Sequence, residues 1–190
     1  MSPAGRRRWL QAMAGVLALR IAGQAAGSPV PATMPPELAA GLPGARRQSQ
    51  ATLRWLGLRV YDIALWTGPV PVDAGNWATL PLALELRYAR TLAGAQIAER
   101  SIEEMRRQAP STTGQRERWL EAMSRLFPDV RDGDRLTGVQ QPGAHARFFF
   151  NGALRGEVAD PLFTQLFFGI WLSGQTSEPA LREQLLRRGP

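Results

Sequence analysis

Three stretches of β-type residues follow one another between residues 50 and 90, and no helical pattern separates them. The first two are QATLRWLG and LRVYDIALWTG, and Gly57 at their junction indicates a tight turn or a bulge. Both faces of the second stretch are mostly apolar, which predicts a central strand covered on both sides. The third stretch, LPLALELRYAR, alternates strictly, which predicts a strand with one face in water.

Two amphipathic helices are predicted next, in LAGAQIAERSIEEMRRQ and QRERWLEAMSRLF. The apolar stripe of the first includes Ile97, Ala98, Ile102 and Met105. The charged residues predicted to face away from that stripe are Arg100, Glu103, Glu104 and Arg107.

Three further strands are predicted after these helices. DRLTGVQQ and HARFFFNG are predicted to pair through a turn at Pro142-Gly143. Asn151-Gly152, a strong hairpin signal, leads into ALRGEVA. The second half of the chain therefore contains a second group of adjacent strands.

Two helices are predicted to follow these strands. Asp160-Pro161 combines a favoured N-cap residue with proline at the first helical position, and the aromatic helix LFTQLFFGIWL behind it is predicted to be the most deeply buried. Ser177 is predicted to cap the last helix, in EPALREQLLRR. Strands grouped apart from helices predict an α+β fold, an antiparallel β-sheet packed by a layer of α-helices.

The composition excludes several kinds of reactive site. The 190 residues include no Cys and one His, so disulfides, thiol nucleophiles and zinc-thiolate sites are excluded, and poly-His metal sites with them. His145 has no second ligand beside it and is interpreted as a structural or surface residue. The acidic residues of PDVRDGDR lack the spacing and the distal Glu of an EF-hand, and indicate an acidic turn. We therefore predict no metal and no cofactor, and assign no catalytic residue.

The positive charge of the chain does not indicate a nucleic-acid partner. The formal net charge is +7, and every basic residue is Arg. Four of the 23 Arg precede residue 28, where there is no Asp or Glu, and the later ones are scattered among acids. Nucleic-acid binding usually needs a clustered basic face. We therefore expect no nucleic-acid partner, and the oligomeric state stays open.

The N-terminal residues have the pattern of an export signal. Arg6-Arg7-Arg8 precede a short apolar run and then small residues, and GRRRWLQ resembles a twin-arginine motif. We predict a signal peptide at residues 1–27, cleaved near residues 25–27, a flexible Pro/Ala/Gly-rich arm at 28–45 and one domain at 46–188. The general secretory route and an uncleaved anchor remain alternatives. No later segment has the length to span a bilayer, so a periplasmic mature chain without a transmembrane segment is expected.

Several stretches together resemble the bacterial chalcone isomerase-like proteins. They are LRWLGLRVYDIALWTG, LPLALELRYAR with the helix IAERSIEEMRR, DGDRLTGVQQPG, RFFFNGALRGEVADPLF, FFGIWLSG and ALREQLL. The resemblance covers about residues 45–188 and implies an open-faced sandwich with a ligand cleft between sheet and helices. In plants this fold includes true chalcone isomerases and non-catalytic fatty-acid-binding relatives.

The resemblance does not carry the enzymes' catalytic set onto this chain. The plant proteins have an Arg shortly before the VY strand, for which Arg46, Arg47 and Arg54 are candidates, and the enzymes have a Tyr and Asn pair that IAERSIEEMRR lacks. Tyr61 and Tyr88 place hydroxyl groups in otherwise apolar strands, where a buried phenol usually needs a hydrogen-bond partner. The ligand-binding candidates are Arg54, Tyr61, Tyr88 and Arg90, with tyrosines donating hydrogen bonds and an arginine meeting a carboxylate.

Three functions remain open at this point. The first is a non-catalytic, exported protein that holds a small apolar or fatty-acid-like molecule between sheet and helices. The second is an intramolecular lyase or isomerase of the chalcone isomerase type, in which Arg or Tyr donors stabilise an enolate or phenolate. The third is a structural or interaction module whose cleft is filled by its own side chains.

Overall fold

A computed structural model describes residues 33–187 of the chain, and the predicted export signal at residues 1–27 lies outside the described residues. The elements are, in chain order, α1 (Leu38–Gly41), β1 (Arg46–Trp55), β2 (Leu58–Thr67), β3 (Leu82–Tyr88), α2 (Gly94–Gln108), α3 (Thr113–Leu126), β4 (Arg135–Gln141), β5 (His145–Phe150), β6 (Ala153–Val158), α4 (Pro161–Leu172) and α5 (Pro179–Leu186). The strands form one antiparallel sheet in sequential order, which confirms the α+β prediction. No helix among the described residues is long and apolar enough to cross a membrane.

The predicted tight turns join neighbouring strands of the sheet. Asn151 and Gly152 both have positive φ between β5 and β6, as expected for the Asn-Gly pair of a type I′ hairpin. Leu56 and Gly57 have the same signs of φ between β1 and β2. Gly143, also at positive φ, lies in the turn between β4 and β5. Tight turns therefore account for three of the neighbouring pairs, β1–β2, β4–β5 and β5–β6, whereas residues 68–81 join β2 to β3, and α2 and α3 lie between β3 and β4.

Four of the five helices, α2–α5, were predicted, whereas α1 falls in the segment predicted to be a flexible arm. The Asp160 carboxylate accepts hydrogen bonds from the backbone N–H groups of Leu162 and Phe163, and Pro161 occupies the first turn of α4. The predicted capping role of Ser177 is wrong, because α5 has Glu178 at its N-cap position and no side-chain capping bond there.

The principal core lies between α2–α5 and one face of the sheet, called here the inner face. Aromatic side chains of α4 pack on this face, and Phe163 and Phe168 are fully buried. Gly138 on β4 leaves room for them, because a Cβ there would lie 3.3 Å from the ring of Phe168. Phe148, opposite Gly138 in the sheet, fills part of the same space. The prediction that the aromatic helix is the most deeply buried is consistent with this packing.

The opposite face of the sheet, called here the outer face, has a smaller core of its own. Leu38, Leu42 and Ala45 pack on it against Ala64, Trp66, Ala83 and Val139. The described part of the predicted flexible arm, residues 33–45, is therefore not a free arm, and the predicted water-exposed face of β3 is covered at Ala83 but exposed at Arg87. The physical reason is that Leu38 and Leu42 are four residues apart, so α1 presents both to the sheet. The covered outer face also supports the prediction that β2 is apolar on both sides, over Ile63–Thr67.

Candidate functional site

A cavity of about 420 Å³ opens between the inner face of the sheet and helices α2 and α4. Its volume is in the range of small-molecule sites. Its apolar lining comes mainly from Leu53, Trp55, Val60, Leu84, Leu86, Leu92, Ile97, Phe127, Leu136, Phe148, Phe167, Ile170 and Trp171. Its polar lining comes from Tyr61, Tyr88, Arg90, Gln96, Arg100, Ser101, Glu104, Ser177 and Glu178. The side chains of residues 33–187 therefore leave this interior unfilled, which argues against the filled-cleft hypothesis.

Tyr61 and Tyr88 form a pair on the inner face of the sheet. They are directly opposite each other on β2 and β3, and their ring centroids are 5.8 Å apart in an edge-to-face arrangement. Trp171 on α4 donates its indole N–H to the Tyr61 hydroxyl oxygen at 2.9 Å. Because that oxygen accepts, the hydroxyl proton of Tyr61 remains available to a bound molecule. Tyr88 makes no side-chain hydrogen bond to any other described residue, so the cavity offers two phenol donors.

Burial keeps both phenols in their neutral form. It raises the pKa of Tyr61 well above its usual value, although the hydrogen bond from Trp171 opposes the shift. Burial likewise raises the pKa of Tyr88, and the neighbouring Tyr61 adds to this effect. A neutral phenol donates a hydrogen bond but does not act as a phenolate base. The two tyrosines are therefore suited to binding an acceptor oxygen at neutral pH.

An alkaline titration tests these raised pKa values, because Tyr61 and Tyr88 are the only two tyrosines in the chain. We expect phenolate absorbance to appear near pH 10 in denaturant, and only at higher pH in the folded protein. The unfolded state loses these protons first, so stability is unaffected below about pH 10 and falls as the pH rises above it, by up to about 1.4 kcal/mol per pH unit for each tyrosine. Identical titration curves for the folded and unfolded protein would contradict the burial argument.

Glu104 on α2 was predicted to face away from the core, and this prediction is wrong. Its side chain is buried, with the residue 5% exposed, and it lines the cavity. Ile97, Ser101 and Glu104 follow one another at intervals of four and three residues, which is the spacing of one helix face. That spacing was a signal in the sequence, but the negative charge of Glu104 pointed to a solvent position.

Two arginines partly compensate the buried charge of Glu104. Arg100 Nη2 lies 2.5 Å from Glu104 Oε1, and Arg107 Nε lies 3.8 Å from Oε2. Neither carboxylate oxygen accepts a well-aligned hydrogen bond from a described residue. Because Arg100 also pairs with Glu103, its charge is shared between two carboxylates. The α2 side of the cavity therefore carries an ion-pair network with acceptor capacity left over.

The two arginines proposed as ligand contacts have different positions. Arg90 lines the cavity and makes no hydrogen bond or ion pair with another described residue. Arg54 is exposed, outside the cavity, and donates to the Gly57 carbonyl at 3.3 Å. Leu53 and Trp55 line the cavity, so the residue between them on β1 points to the other face. Arg54 therefore lies outside this cavity, whereas Tyr61, Tyr88 and Arg90 all line it.

The lining offers binding groups and no recognisable catalytic set. It contains no His, and the described residues contain no group of three or more His, Cys, Asp or Glu placed to hold a metal ion. The hydroxyl of Ser101 on α2 donates to the Ile97 carbonyl at 2.8 Å, so its proton is held by the helix backbone. Four further lining residues were not predicted from the sequence, because they belong to no recognisable motif: Gln96, Ser101, Ser177 and Glu178.

Comparisons with known proteins agree with this architecture. The family model described as chalcone isomerase-like matches residues 51–187. An uncharacterized protein of Haemophilus influenzae is 28% identical over 138 residues, which cover 72% of this chain and 65% of that protein's length. The crystal structure of a fatty-acid binding protein of Arabidopsis thaliana superposes with a TM-score of 0.59 at 12% identity, and the match covers 76% of this chain and 87% of that one. The chain belongs to the chalcone isomerase-like family.

Proposed function

We propose that this protein is a non-catalytic binding protein for an elongated amphiphile with a carboxylate head group, such as a fatty acid. The observation that carries the proposal is the 420 Å³ cavity, which combines an aliphatic and aromatic lining with two neutral phenol donors and the unpaired Arg90. An apolar pocket with a few convergent polar groups binds the apolar part by burial and orients the polar part by hydrogen bonds.

The positions of the polar and apolar lining residues indicate where the head group and the acyl chain of such a ligand would lie. Arg90 is exposed and has no ionic partner among the described residues, so it is available to a carboxylate at the open side. Tyr88, the last residue of β3 and two residues before Arg90, lines the same cavity and has a free hydroxyl donor. Leu84, Phe148 and Phe167 lie on the buried side, where an acyl chain avoids water.

The carboxylate of Glu104 limits where the head group can lie. An anionic head group beside this buried carboxylate would be repelled, although Arg100 offsets part of the charge. We therefore place the ligand carboxylate with Arg90 and Tyr88, because the negative charge of Glu104 also acts at Tyr61. A hydroxylated chain would be compatible with the free acceptor oxygens of Glu104.

The solved fatty-acid binding protein with the same fold supports a binding function for this cavity. At 12% identity the likeness shows the fold alone, so the ligand class rests on the lining residues.

The N-terminal arginines and apolar run support export to the periplasm, with cleavage near residues 25–27. Extraction of this chain from the periplasm with a mature N-terminus in that range would test the location.

A binding measurement with a matched pair of arginine variants tests the proposed ligand. Palmitate binding would be followed by titration calorimetry on the wild-type chain, Arg90→Gln and Arg54→Gln. We expect Arg90→Gln to weaken binding by about tenfold or more, because a charge-assisted hydrogen bond is lost. Arg54→Gln, outside the cavity, should bind as the wild type does. No binding of palmitate to the wild type, or equal losses in both variants, would contradict the proposal.

A lyase or isomerase of the chalcone isomerase type is the second candidate, favoured by one observation. The two neutral phenols are placed to stabilise an oxyanion that develops on a bound substrate. Turnover of a chalcone that falls by 10²-fold or more in Tyr61→Phe, with folding intact, would favour this activity over simple binding. Binding without turnover would favour the carrier function.

A further inference from the structure

The tip of the β1–β2 hairpin, residues Trp55–Leu58, is an exposed apolar surface. Trp55 is 60% exposed, Leu56 87% and Leu58 57%. These are three of the five large hydrophobic residues exposed in the described part of the chain, and the other two, Val70 and Leu154, are separate. Single exposed apolar residues are common, but a contiguous group is more often a contact surface.

The apex of the hairpin tip has a strained backbone conformation that is unfavourable for the leucine found there. Leu56 has φ +49°, in the left-handed region that Gly, Asn and Asp enter readily and leucine does not. The equivalent position of the β5–β6 hairpin is Asn151, at the same φ of +49°. Since Leu56 is almost fully exposed, packing within the described residues does not compensate the strain. A leucine here is therefore unfavourable for folding and suggests an external contact.

Arginines flank the apolar tip. Arg54 and Arg59 are opposite each other in the β1–β2 register, where two like charges repel. Asp62 pairs with Arg59, and it also accepts a hydrogen bond from Thr52. Arg54 has no carboxylate partner among the described residues. The tip therefore combines apolar side chains with cationic charge.

The hairpin tip is continuous with the cavity. Trp55 and Val60, one on each strand of the hairpin, both line the cavity, as does the unpaired Arg90. A molecule that leaves or enters the cavity on this side therefore passes beside the tip. The tip consists of only three large side chains on a narrow turn. A stable protein interface buries about 800 Å² on each partner, so the tip is small for a stable protein–protein contact.

We propose that the hairpin tip docks this protein on a phospholipid bilayer with anionic head groups. Leu56 and Leu58 enter the boundary between head groups and acyl chains, and Trp55 lies at the interface that tryptophan prefers. Arg54 and Arg59 contact lipid phosphates. The cavity opening then lies next to the bilayer surface. This docking does not depend on the ligand proposed above, because it uses residues at the tip.

A site-specific fluorescent label tests the docking, and the absence of Cys from the chain allows a single label. Leu56→Cys and Leu154→Cys would each carry an environment-sensitive nitrobenzoxadiazole group. Vesicles of phosphatidylcholine with phosphatidylglycerol should raise the emission at position 56 several-fold and shift it to the blue, with little change at position 154. No change at position 56, or equal changes at both positions, would overturn the proposal. This readout is local, so binding of vesicles by the predicted leader does not imitate it.

A variant that improves the turn separates docking from folding. Leu56→Asn places a residue suited to positive φ at the apex, so it should keep or raise the thermal stability of the protein. We expect it to lower the fraction bound to the same vesicles by several-fold, while Leu154→Asn leaves binding unchanged. Unchanged binding in Leu56→Asn overturns the proposal. Dimerisation without vesicles that Leu56→Asn abolishes would also overturn it, in favour of a contact between two copies of this chain.

Discussion

Phe163→Ala is expected to lower the free energy of unfolding by about 3–5 kcal/mol, the range for removing a buried phenyl ring. Phe163 is fully buried on α4, and its ring contacts Trp119, Phe148 and Phe167 at centroid distances of 5.6–6.3 Å. These three partners come from α3, β5 and α4, so one ring joins two helices to the sheet. Its removal leaves a cavity that none of the three elements can fill alone.

Chemical denaturation of Phe163→Ala and Leu154→Ala gives the comparison. Leu154 is a large apolar residue on β6, but it is 63% exposed, and its truncation should change stability by no more than about 0.5 kcal/mol. Phe163→Leu should fall between the two, because it keeps part of the buried volume. A loss below about 1 kcal/mol in Phe163→Ala would show that the aromatic cluster does not hold α4 on the sheet.

The aromatic cluster also connects stability to the cavity. Phe167 lines the cavity and stacks on Phe163, which lies outside the lining. Phe163→Ala therefore removes support from behind a cavity wall without touching the proposed ligand. We expect palmitate affinity to fall less than it falls in Arg90→Gln, because the contacts with the ligand remain.

Local signals in the sequence predicted the sheet and most helix starts. The turns at Gly57 and Asn151-Gly152 were read from residues that tolerate positive φ, and the start of α4 from Asp160-Pro161. Each signal acts within about four residues, so no knowledge of distant contacts is needed. These turns determine the pairs β1–β2, β4–β5 and β5–β6, whereas the pairing of β3 with β2 and β4 spans longer connections.

Features that depend on distant contacts were not predicted. Nothing in the Pro/Ala/Gly-rich composition of residues 28–45 shows that Leu38 and Leu42 pack on the outer face. The placement of Arg54 depends on which face of β1 meets the cavity, and a register irregularity between Leu53 and Arg54 obscures the alternation. Glu104 was assigned to solvent because its charge outweighed its helix spacing, and only the cavity beside α2 explains its burial.

The outer-face core contains a buried charge network that sequence patterns did not indicate. The Glu37 side chain is fully buried, and Arg135 Nη2 lies 2.8 Å from its Oε1 atom. Thr137 donates a hydrogen bond to the same oxygen at 3.0 Å. Arg135 also lies 3.9 Å from Glu85, which accepts a hydrogen bond from the Trp66 indole. The Arg135 guanidinium therefore forms ion pairs with two carboxylates, those of Glu37 and Glu85.

Arg135→Met is expected to lower the free energy of unfolding by about 3–5 kcal/mol, because Glu37 would remain buried without a cationic partner. Arg147→Met is the matched control. Arg147 pairs with Glu157 at 3.2 Å on the surface, where both side chains are well exposed, and its loss should cost about 0–1 kcal/mol. Chemical denaturation measures both changes.

A second substitution shows whether the loss in Arg135→Met comes from the uncompensated charge. Glu37→Gln in the Arg135→Met background removes that charge and keeps an acceptor for Thr137, so it should recover a large part of the lost stability. Hydrogen exchange should locate the defect, with backbone amides of residues 38–45 exchanging faster in Arg135→Met than in the wild type. Equal destabilisation by Arg135→Met and Arg147→Met, or no recovery in the double variant, would contradict a role for this ion pair. The segment would then be held on the sheet by the apolar contacts of Leu38 and Leu42 alone.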